Sequence, residues 1–230
     1  MRRGAIQKSE ATRERIYASA LELFAEKGFA AATMREIAGR AGCSLGLAYH
    51  YFPSKDGIAL ALYERLLDEF VAAAAEISPG PVAARWSAAM SADLARMAPH
   101  RAALVGLISA GLAPGSPTQV LGAEAAPIRR RMIAAFTAVV SGARDVPRAI
   151  AAGDLAVLLY ALHLLIIFFW LQDPSPGQRT TVALVDFGRE NLRRLGLAAR
   201  LPGFAGAVRR LASLLGPVLA GEATSVESQP

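Results

Sequence analysis

The 230-residue sequence has a single cysteine, Cys43, and only three histidines, His50, His100 and His163. One thiol excludes a disulfide framework within the chain and any zinc site built from several cysteines. The histidines are far apart and lack partners at ligand spacing, so no metal site is expected, and no cofactor. Runs of β-branched residues are scarce, which removes the main signal for strands. No internal repeat recurs. The first residues show no charged segment followed by an apolar one, so a cytoplasmic location is expected. Long apolar runs are also missing, with one exception at Leu155 to Leu171.

What remains is 53% hydrophobic, rich in alanine and leucine, and broken by glycine and proline into pieces of helical length. That composition predicts an all-α fold with enough chain to bury a real core. Cations exceed acids, giving a net charge of +6, but unevenly. Residues 1–55 carry nine Lys and Arg against five Asp and Glu, whereas residues 56–76 carry one against five. The basic excess near the N-terminus is modest, and charge alone is weak support for a nucleic-acid partner.

The most specific pattern lies between Thr33 and Lys55. Thr33 and Glu36 form a T-x-x-E capping box, which opens a helix at Met34. Met34, Ile37, Ala38 and Ala41 recur at helical spacing and give it one buried face. Gly42 ends it, because glycine readily takes the left-handed conformation that a helix C-terminus often needs. Ser44 is a strong N-cap for a second helix reaching about Phe52, where Pro53 stops it and Ser54 caps the next. Two short helices around a tight glycine turn describe a helix-turn-helix, whose second helix enters the DNA major groove. Cys43, in the turn, reads as a small core residue.

Gly42-Cys43-Ser44-Leu45-Gly46 also matches G-x-S-x-G, the nucleophile elbow of serine hydrolases. The elbow requires a strand before its serine. The preceding residues are helical in pattern, so Ser44 reads as a cap, and an enzyme is not expected.

A helix from Ser9 or Glu10 to Lys27 is predicted, with Ile16, Ala20, Leu23 and Phe24 on its inner face. A basic arm, Met1 to Lys8, precedes it, either loose or adding phosphate or minor-groove contacts. A fourth helix starts at Lys55 and runs to about Glu76, burying Ile58, Leu62, Leu66 and Phe70. Further helices are expected at about 82–98, 101–112 and 127–143, with turns at Pro114–Pro117 and Pro147. The apolar run, Leu155 to Leu171, is at the lower limit of a membrane span. With His163 at its centre and no Lys or Arg beside it, a core helix shared between subunits is the favoured reading. It can pair with Gln178 to Leu195 across a proline-containing turn, so two such pairs would make a four-helix interface. A last amphipathic helix carries Phe204, Val208, Leu211 and Leu215, and residues 221–230 read as a disordered tail.

In the segments Ile16–Gly28, Thr33–Ala41 and Gly42–Lys55 the chain resembles the TetR/AcrR family of bacterial transcriptional regulators. The resemblance covers about residues 9–65; beyond them only the helix layout agrees, apart from the Trp170-Leu-Gln-Asp-Pro-Ser-Pro-Gly stretch, which looks like a loop between dimer helices. It implies a homodimer on a palindromic double-stranded operator, usually a repressor released by a small molecule bound in the C-terminal domain. The implied division is an arm at 1–8, a helix-turn-helix domain at 9–54, a linking helix at 55–76, a ligand-binding and dimerisation domain at 77–220, and the tail. Dimerisation would use helices at about 155–171 and 178–195.

Helical geometry indicates which residues face DNA. With Ala48 and Phe52 inward, Gly46, Leu47, Tyr49 and His50 turn outward or flank. Leu45 and Leu47 can touch thymine methyl groups, and His50 a base edge or a phosphate. Tyr49 and Tyr51 can donate to phosphates, with Tyr51 equally readable as core. Lys55 sits at a helix start, where a phosphate is favoured, and Arg35 can reach the backbone or a guanine. Thr33 and Ser44 complete the candidate DNA-binding set. Two positions depart from the family's commonest pattern. Leu45 stands where lysine is frequent, and Ala48 where a larger aliphatic is. The reading helix therefore has no fixed positive charge, and phosphate attraction falls to Arg35, Lys55 and the arm.

For the effector, the candidate pocket residues are Trp86, Met90, Leu104, Ile108, Met132, Phe136 and His163. The segments supply few buried charges, so a largely apolar molecule is expected. The alternatives are an activator, a membrane-associated regulator using 155–171 and, most distantly, a serine hydrolase.

Overall fold

The computed structural model describes residues 2–111, 119 and 121–222. The expected turn at Pro114–Pro117 and the tail from residue 223 onward lie outside them. Every regular element among the described residues is helical, and they divide into two compact units, Met1–Glu64 with Ala98–Gly122 and Arg65–Met97 with Ala123–Pro230.

The first unit holds α1 (Arg2–Lys27), α2 (Met34–Arg40), α3 (Leu45–Tyr51), the start of α4 (Lys55–Glu76) and α6 (Arg101–Gly111). Its core joins Ile16, Ala20, Leu23 and Phe24 of α1 to Met34, Ile37 and Ala38 of α2, with Ala48, Phe52, Ile58 and Leu62. The four α1 residues are those the periodicity picks out. The start of α1 differs from the expectation, since the helix begins at Arg2 rather than at Ser9 or Glu10. Ser9 does not cap it; its hydroxyl lies 3.0 Å from the Tyr51 hydroxyl, and Thr12 donates back to the Lys8 carbonyl as an interior helical residue does. Helix α6 packs on α1, where a Cβ on Gly106 would come within 3.2 Å of the Phe29 amide nitrogen. Glycine there permits the close approach.

The second unit holds the rest of α4 with α5 (Val82–Met97), α7 (Ala126–Ser141), α8 (Ala152–Gln172), α9 (Arg179–Arg193), α10 (Leu195–Ala198) and α11 (Phe204–Ala220). The expected helix from Gln178 to Leu195 is present as α9, Arg179–Arg193, and Leu195 opens the short α10. Helix α8 packs along α7 and α11, and α5 along α9. The α8 sequence is long and apolar enough to cross a membrane, but half of its most apolar stretch is buried within this unit. That burial accounts for one side of the helix, while Leu165, Phe168 and Phe169 stay exposed on it.

Buried polar groups tie the second unit together. Arg85 donates from Nε to the Val139 carbonyl (2.8 Å), and its terminal nitrogens reach the carbonyls of Ile77, Ser78 and Ala138. Arg129 donates from Nε to the Leu219 carbonyl (2.8 Å), holding α7 to the end of α11. Asp173 organises the α8–α9 turn by accepting from the amides of Ser175 and Thr181 and from the Thr181 hydroxyl at 2.7–2.9 Å. Burial alone would raise the pKa of its carboxyl; these hydrogen bonds outweigh that and hold it far below the ordinary carboxylate value.

Candidate nucleic-acid interface

The helix-turn-helix forms by the local rules its sequence obeys. At the start of α2 the Glu36 amide donates to Thr33 Oγ1 (3.3 Å) and the Thr33 amide to Glu36 Oε2 (3.0 Å), a complete capping box. Lys27 pairs with the same carboxylate, and this bond, followed by that from Thr33, draws the Glu36 pKa down to about 2. Gly42 has φ +63°, and the Cys43 amide closes the turn on the Ala38 carbonyl at 3.0 Å. Cys43 itself is half-buried, less enclosed than a core reading implies.

Ser44 caps α3, accepting from the Leu47 amide at 3.2 Å. A helix and a glycine turn precede it, so the strand that a nucleophile elbow needs is replaced by other structure. Ser54 caps α4 in the same way, accepting from the Gly57 amide at 3.1 Å.

Ala48 (0% exposed) and Phe52 anchor α3 from beneath, with the Arg13 guanidinium 4.8 Å above the Phe52 ring. Gly46, Leu47 (39% exposed), Tyr49 (47%) and His50 point outward, while Leu45 and Tyr51 are half-buried. The His50 and Tyr51 rings meet edge to face at 5.2 Å. The Tyr51 ring is partly in the fold, as the core alternative has it, and its hydroxyl lies 3.0 Å from that of Ser9.

The basic residues separate into engaged and free. Lys55 turns inward, its Nζ donating to the carbonyls of Phe29, Ala30 and Ala32 at 2.9, 3.0 and 3.3 Å and lying 4.7 Å above the Phe29 ring. An ammonium has three donors, and all are used here, so Lys55 holds the α1–α2 connection instead of offering its charge to a phosphate. Arg40 is forked onto Glu26 at 2.6 and 2.7 Å, a bond that depresses the Glu26 pKa. Arg35, exposed on α2, has no hydrogen-bond or ionic partner among the described residues. Thr33 and Ser44 are exposed, but their hydroxyls serve the caps.

The residues expected to line an effector pocket are not all brought together. Trp86, Met90, Phe136 and His163 are buried in the second unit, with Met132 packed against them. Leu104 and Ile108 are on α6, in the first unit, because α6 packs its apolar face on α1. An acidic residue that the sequence reading misses joins His163. Asp93, on the same face of α5 as Trp86 and Met90, places Oδ2 3.6 Å from His163 Nδ1. Burial raises the Asp93 carboxyl to about 7, against the pull of Arg96 and with a push from Glu69. Burial also lowers His163 to about 4. The α5 spacing 86, 90, 93 is the signal that turns Asp93 inward.

Known proteins agree with this geometry. The family model for bacterial regulatory proteins of the tetR family matches residues 16–62. The chain is 46% identical over 52 residues to the uncharacterized HTH-type transcriptional regulator YerO of Bacillus subtilis (strain 168), covering 23% of this chain and 18% of that one. It is 38% identical over 61 residues to the HTH-type transcriptional regulator HbdR of Aromatoleum sp. (strain CIB), covering 26% and 27%. Both matches span less than a third of the relative's length. A crystal structure of a tetR-family transcriptional regulator from Streptomyces coelicolor is similar across 90% of both chains, at TM-score 0.61 and 25% identity.

Proposed function

We propose, from the premise that this chain belongs to the TetR family of bacterial regulatory proteins, that it is a dimeric, operator-binding repressor. The observation that carries the reading is the outer face of α3. Leu47 and Tyr49 stand in water on a short helix whose opposite side is fixed by Ala48 and Phe52. Isolated apolar residues on a surface need no explanation, but a leucine and a tyrosine with His50 on a capped, pre-formed helix suit base edges in a major groove. Leu47 contacts thymine methyl groups, and Tyr49 positions the helix on phosphates, with Tyr51 held to Ser9 behind it. Free charge comes from Arg35; Lys55 contributes by keeping the frame rigid.

The dimer forms through α8 and α9. Leu165, Phe168 and Phe169 on α8 and Val182 and Phe187 (67% exposed) on α9 are large apolar side chains left in solvent by the single chain. Leu165, Phe168 and Phe169 lie within about 100° of one another on α8, and an exposed apolar face of that kind suits an association surface. A two-fold dimer presents two α3 helices to successive major grooves of a palindromic site. The second unit takes a small, largely apolar effector that shifts the dimer away from the DNA-competent spacing, and the protein works in the cytoplasm.

Footprinting on the DNA flanking the protein's own gene tests the reading. Protection of a palindrome, lost with Leu47→Ala at unchanged helicity, is the expected result. Protection that follows charge only, with no sequence preference at any salt concentration, would overturn it.

A further inference from the structure

The second unit keeps a buried polar pair in an apolar, aromatic setting. Asp93 is 2% exposed and His163 4%, yet neither Asp93 Oδ2 nor His163 Nδ1 has a hydrogen-bond partner among the described residues. Their separation of 3.6 Å is too long for a direct hydrogen bond. A buried polar atom left unpaired loses its hydration with nothing in return, so two facing each other call for a functional account. Around His163 the rings of Phe136, Tyr160 and Phe70 stand at 5.4, 5.9 and 6.0 Å between centroids.

We propose that Asp93 and His163 are the recognition pair for an apolar effector carrying one hydroxyl group, a phenol or alcohol. A hydroxyl oxygen placed beside both atoms donates its proton to Asp93 Oδ2 and accepts from a proton on His163 Nδ1. It satisfies both groups at once and adds no net charge to the core. The neighbouring rings favour an aromatic or alicyclic body. Met90 and Met132, unbranched thioether side chains in the same core, are the part of the wall able to turn aside for it. This rests on the reading that the second unit binds an effector, and it names the chemistry of that site.

The test uses the full-length protein and pairs of probes: phenol, 4-tert-butylphenol and 4-phenylphenol, each against its methyl ether, with 4-tert-butylbenzoate as an acid control. Affinities are read by calorimetry. At least one phenol should bind about tenfold or more tighter than its ether, which keeps an acceptor but has no donor. Asp93→Leu should bring that ratio close to one, while Asp93→Asn, which keeps an acceptor oxygen, should retain part of it. If no phenol outbinds its ether, if the benzoate binds tightest, or if both variants alter melting temperature while the ratio stays, the proposal is wrong. Operator release is measured separately. A phenol that binds through Asp93 without releasing DNA preserves the site and sinks the effector reading. Release by another compound, with no phenol binding, does the reverse.

Discussion

The two units of this molecule differ in whether they bury their acidic and basic residues. In the first, ions lie at the surface and are engaged in short, local bonds: Arg40 on Glu26, Lys27 on Glu36, Lys55 on three carbonyls. These bonds fix a frame on which α3 is held with uncharged side chains outward. The second has surface pairs too, such as Arg131 with Asp68, but it also buries ionisable groups, and Asp93 Oδ2 and His163 Nδ1 have no hydrogen-bond partner among the described residues. A frame held by satisfied bonds suits a rigid reader of DNA; a core with unsatisfied polar atoms suits a site that something else completes.

The sharpest way to break that comparison is at the anchors. Phe52→Ala should cost about 3–5 kcal/mol and abolish specific DNA binding, since it empties the support under α3. Trp86→Ala should cost a similar amount, read by denaturant unfolding, because the indole is fully buried against Gly188. If Phe52→Ala leaves operator affinity intact, α3 is not held as described.

The next effect concerns charge. Lys55→Met should destabilise by about 1–3 kcal/mol, since three carbonyls are deprived of their donor, and should leave the salt dependence of DNA binding unchanged. Arg35→Ala should leave stability nearly unchanged and reduce the salt slope by about one for each phosphate that Arg35 neutralises. Reversed results would return Lys55 to the phosphate.

A pH experiment sharpens the contrast in the second unit. The Asp93 pKa is raised from 3.8 to about 7, so the folded state holds a proton that the unfolded state has released. Asp93 therefore makes stability fall as pH rises from about 4 to 7. The His163 pKa is lowered from 6.5 to about 4, so there the unfolded state holds the extra proton and stability rises over about 4 to 6.5. The two slopes oppose each other. Arg96, Glu69 and Tyr160 surround the pair but belong to both variants below. Asp93→Asn should show stability increasing with pH across that window, and His163→Gln stability decreasing. Equal, flat profiles in both variants would rule out the buried-pair description. The smallest expected effect is Ser44→Ala, about 1 kcal/mol from removal of a cap, with no effect on any hydrolytic activity.

Legibility in the sequence follows the range of the interactions. Thr33 with Glu36, Gly42, Ser44 and Ser54 act on neighbours within a few residues, and the structure realises each one. The inward and outward faces of α3 follow from helical periodicity alone. The engagement of Lys55 reaches back 23 to 26 residues, and no local pattern signals it. Helix α6 is misplaced by its sequence for the same reason: its apolar face reads alike whether it packs on α1 or on the core of the second unit. Ser9 looks like a helix start because cap preference is local, whereas its hydroxyl is taken by Tyr51, 42 residues away. Asp93 escapes notice because a lone aspartate in a helix is normally solvated, and only the α8 side reveals its partner.

The central claim is that the outward face of α3 reads DNA with uncharged side chains on a rigid frame. Quantitative binding of wild type and Leu47→Ala to the footprinted palindrome and to unrelated DNA, at matched salt, tests it most directly. The account predicts a loss of about tenfold or more on the palindrome, from roughly 1–3 kcal/mol of base discrimination, with binding to unrelated DNA unchanged. Equal affinity of the two proteins for the palindrome, with the same preference over unrelated DNA, would contradict it.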